Sequence, residues 1–218
     1  MIERYSRPKM AALWNTKERY GVWLKVELLL CEALANEGTI PKAMYAAIRS
    51  KAKINVRRID EIEKVVKHDV IAFLSSITEK VGESGRYLHW GMTSSDLTDT
   101  ALAVLLRKAS DILIDDLTAL MKVLREQAYR HKETVMMGRS HGMHAEPFTF
   151  GLKMAIWYEE TGRNLARLIR AKEEISFGKI SGSMGTYAHL SPAIEAYVMK
   201  KLLLSPEPVA NQVVQRDR

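Results

Sequence analysis

Histidine is the side chain that exchanges a proton near neutral pH. Five of the six histidines in this 218-residue chain fall in or beside four short polar segments. One segment is Lys67-His68-Asp69, and the next runs from His89 to Asp96 through Thr93, Ser94 and Ser95. A third runs from Gly138 to Pro147 and carries Ser140, His141, His144 and Glu146. The fourth is the glycine-rich stretch Gly178–Gly185, with His189 just beyond it. None of the four has the apolar pattern of a helix interior, and together they suit acid–base chemistry. The sixth histidine, His131, reads as a surface or capping group at a helix end.

Several chemistries are set aside by spacing. His141 and His144 are three apart with Glu146 near, but His-Glu-x-x-His is absent and no cysteine lies close, so no metal is expected. The Gly178–Gly185 stretch reads Gly-x-x-x-Gly-x-x-Gly, and no strand pattern precedes it. That is neither a Walker loop nor a dinucleotide fingerprint. It is either a plain helix-to-helix loop or a set of backbone N–H groups offered to a carboxylate. Thr93-Ser94-Ser95-Asp96 fits a helix N-cap, and the same groups would also bind a substrate carboxylate.

Lysine and arginine number 33 against 26 acidic residues, a net charge of +7. The excess is diffuse, +5 over residues 1–92 and +2 over 93–218, with no long block of one sign. A small anionic substrate fits this better than nucleic acid. With 47% hydrophobic and 27% charged residues, the chain has the composition of a globular protein rather than a disordered one. No apolar run reaches the ~20 residues of a membrane span, and Met1 to Pro8 has no apolar signal region. The single cysteine, Cys31, excludes an internal disulfide. The expected compartment is the cytoplasm.

The elements that must position these groups are helices. Lys17 to Glu37 keeps one apolar face through Tyr20, Trp23, Glu27, Cys31 and Leu34, and Gly38 stops it. Pro41 opens a short helix, and a third starts near Asn55 or Arg57 and runs past Leu74, carrying Lys67-His68-Asp69 in its middle. From Leu97 to Met137 there is neither Gly nor Pro, which predicts one long bundle helix. A second long helix follows Pro147 to about Phe177, and Ser191-Pro192 opens another to about Leu204. Pro208 to Arg218 reads as the opening of a further helix, left unfinished. The expected fold is all-α: a small helical domain over residues 1–92, then the first part of a long-helix bundle over 93–218.

Read together, the polar segments resemble the adenylosuccinate lyases of the fumarase/aspartase superfamily. The carrying residues are Met1 to Pro8, Lys67-His68-Asp69-Val70, Thr93 to Thr100, Gly138 to Gly151, and Gln212 with Gln215 to Arg218. Their order is collinear along the chain. Arg4-Tyr5 and Lys67-His68-Asp69 favour the purine enzyme over sister lyases. The resemblance implies elimination of fumarate from adenylosuccinate, giving AMP, and from the succinylated aminoimidazole carboxamide ribotide. By position, His141 would be the general acid, and His68 would orient substrate or hold His141. Arg4 and Tyr5 would meet the nucleotide end, Lys67 and Asp69 would line its pocket, and His89 would lie near the phosphate. Thr93, Ser94 and Ser140 would bind the succinyl carboxylates, and Gln212 would contact substrate. Ser140 stands where threonine is commoner in the family. No cofactor is implied.

The resemblance covers the N-terminal half of such a subunit. Its third signature, a loop with the base serine and a substrate-binding lysine, is not in this sequence. The family's site is shared among three subunits of a homotetramer. Two other readings stay open: a non-catalytic fragment that binds nucleotide or joins full-length subunits, and a sister lyase with another succinyl or aspartyl substrate.

Overall fold

The computed structural model describes residues 2–218; Met1, the first residue of the N-terminal motif, lies outside the described residues. Eight α-helices dominate: α1 (Pro8–Leu13), α2 (Thr16–Glu37), α3 (Lys42–Lys51), α4 (Val56–Val66), α5 (Asp69–Val81), α6 (Ser94–Arg130), α7 (Phe150–Ile175) and α8 (Pro192–Leu202). Short 3-10 turns cover Glu3–Tyr5 and Gly82–Tyr87. The strands are an antiparallel hairpin, β1 (Val135–Ser140) with β2 (Met143–Thr149), and a two-residue parallel pair, β3 (Phe177–Gly178) with β4 (Ser205–Pro206). The all-α reading of the fold holds, with the hairpin as a local exception.

Backbone contacts divide the chain into two compact units, Met1–Lys108 with Glu174–Arg218, and Ala109–Glu173. In the discontinuous unit, α2 is the central element. Asn15 caps it by accepting the Glu18 N–H at 2.7 Å, and Gly38 ends it in the left-handed conformation at φ 83°. The face it buries carries Tyr20, Trp23, Val26, Leu30 and Leu34. Tyr20, Trp23 and Phe73 of α5 stack and meet edge to face with centroids 5.3–5.7 Å apart. Leu97, Ala101, Val104 and Leu105 on the first turns of α6 are buried in the same unit.

The third predicted helix is two helices. α4 ends at Val66, Lys67 turns left-handed at φ 55°, and His68 is extended before α5 begins. The break falls there because His68 accepts the Ile71 N–H through Nδ1 at 3.3 Å, an alternative to continuing the helix. The long helix predicted to Met137 stops at Arg130, and residues 135–149 form the hairpin instead. Pro208–Arg218 is not helical. Side-chain contacts hold it as irregular chain: Asp99 accepts the Val214 N–H and pairs with Arg216, both at 3.0 Å. Arg218 pairs with Glu207 at 2.8 Å and lies 3.8 Å over the Phe177 ring.

In the unit Ala109–Glu173, α7 runs back along the end of α6. Gly151 lies against Ala128 and Lys132, Gly162 against Met121, and Lys172 pairs with Asp111, so the contacts advance in opposite directions. A side chain at Gly151 would press into the Ala128 carbonyl and come within 2.7 Å of the Lys132 backbone. At Gly162 it would meet only the flexible end of Met121, at 3.3 Å. Gly151→Ala is therefore expected to cost about 2 kcal/mol through overpacking, whereas Gly162→Ala stays near neutral. Urea denaturation of both variants measures this, and equal midpoints would contradict the close-packing account.

Candidate functional site

The third polar segment forms the tip of the β1–β2 hairpin. Ser140 pairs with Met143, so the loop is the two residues His141 and Gly142, with φ 52° and 76°. Two positive φ values in a two-residue loop are the signature of a type I′ turn, which matches the twist of paired strands. Ser140, His141 and His144 are all exposed there. The turn projects the His141 imidazole from a backbone geometry that few non-glycine residues adopt.

The first polar segment opens α5. Lys67 is exposed, and His68 caps the helix through Nδ1, which leaves Nε2 as the ring nitrogen able to meet a ligand. Asp69 is half-exposed, 3.6 Å from His68 Nδ1, and accepts the Val70 N–H at 2.7 Å. It lines a cavity of about 280 Å³ with Leu13, Trp14, Arg19, Trp23 and Thr98. Arg4 and Tyr5 are exposed, with the Arg4 guanidinium 4.8 Å over the Tyr5 ring.

Beneath the start of α6 lies a buried polar network. Asp96 and Lys179 are completely buried and form an ion pair. Asp96 also accepts N–H groups from Thr93 at 2.9 Å, Gly182 at 3.0 Å and Ser181 at 3.3 Å. Lys179 Nζ donates to the Gly182 and Gln212 carbonyls, both at 3.1 Å. Thr100 and Lys179 exchange two hydrogen bonds of 3.0 Å. A second buried carboxylate, Glu195, accepts the Ile180 N–H at 2.6 Å and the Tyr187 hydroxyl at 2.7 Å. Burial, then that hydrogen bond and the Glu195 charge, push the Tyr187 phenol up to about 12. The glycine-rich stretch thus does offer N–H groups to a carboxylate, and the carboxylate is the chain's own Asp96.

His89 sits on a turn at φ 57° and is tied to α2. Its Nδ1 lies 2.7 Å from Glu27 Oε1, and its backbone N–H donates to Glu27 Oε2 at 2.7 Å. Burial and the Glu27 charge push the Cys31 thiol up to about 12, so it is not a nucleophile at neutral pH.

The structure therefore brings Thr93 and the Gln212 backbone to one network, with Ser94 opening α6 beside Thr93, and His68 to Asp69. Ser140 and His141 belong to the other compact unit. Glu27, Lys179 and Glu195 lie outside the site residues expected from the sequence. Glu27 left a signal, since it falls on the apolar face of α2, where a carboxylate needs a partner. The hairpin left a weaker one in the His141-Gly142 dipeptide. Among the described residues no group of three or more His, Cys, Asp or Glu could hold a metal ion.

A family model described as lyase matches residues 3–218. The chain belongs to this lyase family. It is 51% identical to adenylosuccinate lyase of Bacillus subtilis strain 168 and 48% identical to that of Aquifex aeolicus strain VF5, each over 100% of this chain and 51% of the relative. The chain thus spans about half the length of the curated relatives it matches. Among solved structures it is similar to a fumarate lyase from Mesorhizobium sp. BNC1 (TM-score 0.86, 28% identity). It is also similar to the 3-carboxy-cis,cis-muconate lactonizing enzyme of Pseudomonas putida (TM-score 0.87, 26% identity). The alignments cover 93% and 94% of this chain and 49% of each of those chains.

Two outcomes follow from the buried groups. Lys179→Met leaves Asp96 buried without its cation and is expected to cost about 3–5 kcal/mol; adding Asp96→Asn should recover part of that, as read from urea midpoints. Cys31 and Tyr187 hold their protons more tightly folded than at their ordinary values of 9 and 10. Their contribution to stability is complete below those values and is lost as pH rises toward about 12. The midpoint should fall steadily above pH 9 for this reason, and less steeply in Cys31→Ala.

Proposed function

We propose that this chain supplies half of an adenylosuccinate lyase subunit. The observation that carries the reading is where the candidate groups sit. They occupy exposed turns and helix starts, several fixed from beneath by buried partners, in a chain 51% identical to an adenylosuccinate lyase over its whole length. The reaction is elimination of fumarate from adenylosuccinate to give AMP, and from the succinylated aminoimidazole carboxamide ribotide.

In this reading a base removes the proton beside a succinyl carboxylate, the carbon–nitrogen bond breaks, and His141 gives its proton to the leaving nitrogen. The hydroxyls of Thr93, Ser94 and Ser140, with the N–H groups at the start of α6, stabilise the carboxylate as negative charge builds. His68 presents Nε2 toward substrate or His141. Arg4, Tyr5, Lys67, Asp69 and His89 hold the nucleotide end, and Gln212 contacts substrate. The base serine belongs to a loop outside residues 1–218.

Exposed Leu113, Leu120 and Val123 on α6, with Leu152, Ile156 and Trp157 on α7, support burial of this hairpin of helices in a homotetramer. Among the described residues no helix is long and apolar enough to cross a membrane.

The test is His141→Gln in the assembled enzyme. Elimination, followed by loss of adenylosuccinate absorbance, is expected to fall by about 10²–10⁴-fold, with AMP affinity within about threefold of wild type. Joint loss of activity and binding would give His141 a structural role. Turnover of another succinyl or aspartyl substrate in place of adenylosuccinate would identify a sister lyase. AMP binding with no elimination in the assembled protein would identify a nucleotide-binding fragment.

A further inference from the structure

Glu27 is a completely buried carboxylate in the middle of α2, with no lysine or arginine bonded to it among the described residues. Both of its oxygens are spent on one residue. Oε1 faces His89 Nδ1 and Oε2 accepts the His89 backbone N–H, each at 2.7 Å. An ionised carboxylate only accepts hydrogen bonds, so Nδ1 must carry a proton. Nε2 makes no hydrogen bond among the described residues, and the ring keeps 18% of its surface exposed. The turn is held from the far side as well. Gly91, at φ 71°, packs so closely against His189 and Leu190 that a Cβ there would lie 2.9 Å from both side chains. Such double anchorage of a left-handed residue goes beyond packing: it selects one backbone position, one ring orientation and one tautomer.

We propose that Glu27 is a positioning residue that fixes His89 with Nδ1 protonated, so that Nε2 alone is presented to the ligand. This rests on the reading of His89 as a contact to the nucleotide phosphate, and it names the atom that makes the contact. A protonated Nε2 donates to a phosphate oxygen. The carboxylate behind the ring holds it in place without sharing the ligand's contact, as partners one step removed commonly do for binding histidines.

Long-range proton–nitrogen NMR of the wild-type chain tests the first half with no substitution. In the neutral ring the proton is expected on Nδ1, with Nε2 bare. A neutral ring with its proton on Nε2 would overturn the inference. Glu27→Gln is nearly isosteric but places an amide N–H₂ against one of the two His89 donors, so the fixed tautomer should be lost. A folded Glu27→Gln chain with unchanged His89 nitrogen shifts would also overturn it.

AMP titrations separate this inference from the reading beneath it. His89→Ala and Glu27→Gln are each expected to weaken AMP by about tenfold, and the double variant by no more than His89→Ala alone. If His89→Ala binds AMP like wild type, the phosphate reading fails while the tautomer result stands. If His89→Ala weakens AMP and a folded Glu27→Gln does not, the positioning role of Glu27 fails.

Discussion

A lysine ammonium and an aspartate carboxylate that solvent does not reach are costly to bury apart, and Lys179 and Asp96 are buried together. Desolvation makes that arrangement intolerant of half measures. Every remaining donor and acceptor of the pair must be matched, and the matching groups come from residues 93, 181, 182 and 212. The pair thereby dictates where the start of α6, the glycine-rich stretch and the segment near Gln212 lie relative to one another. Apolar packing alone would tolerate small slips among them; directional bonds to two buried charges do not.

The same economy recurs at the histidines. Among the described residues five non-glycine residues have positive φ, and three of them, Lys67, His89 and His141, are candidate site residues. Each lies where a regular element has just ended, so its side chain leaves the backbone in a direction that a helix or strand cannot offer. The conformational cost is met by local contacts. His68 caps α5 behind Lys67, Glu27 holds His89, and strand pairing closes the turn at His141. The chemistry-bearing groups are thus oriented by rigid neighbours, as directional binding requires.

Much of this was legible in residue order. The apolar stripe and Gly38 bounded α2, and Ser191-Pro192 marked α8, because caps and periodicity are local signals. The four polar segments stood out because histidine and hydroxyl clusters interrupt those stripes. What escaped was set by contacts distant in sequence. Residues 135–149 pair as strands through a bulge beside Gly138 that no alternation advertises. Residues 208–218 are shaped by Asp99 and Glu207 rather than by their own propensity. Lys179 carries no local signal of its role, since its partner is 83 residues away in sequence.

One compact unit is made of two stretches of chain, with Ala109–Glu173 lying between them in sequence. A ribosome completes the inner stretch first. The α6–α7 hairpin has all its own partners once residue 173 has emerged, but the outer unit still lacks Lys179, the ammonium that Asp96 requires. Until then Asp96 can remain hydrated, at no desolvation cost, and the end of α6 can pack on α7. Synthesis order therefore favours closing the helical hairpin before the buried charge pair, so that the unit begun first is the one finished last.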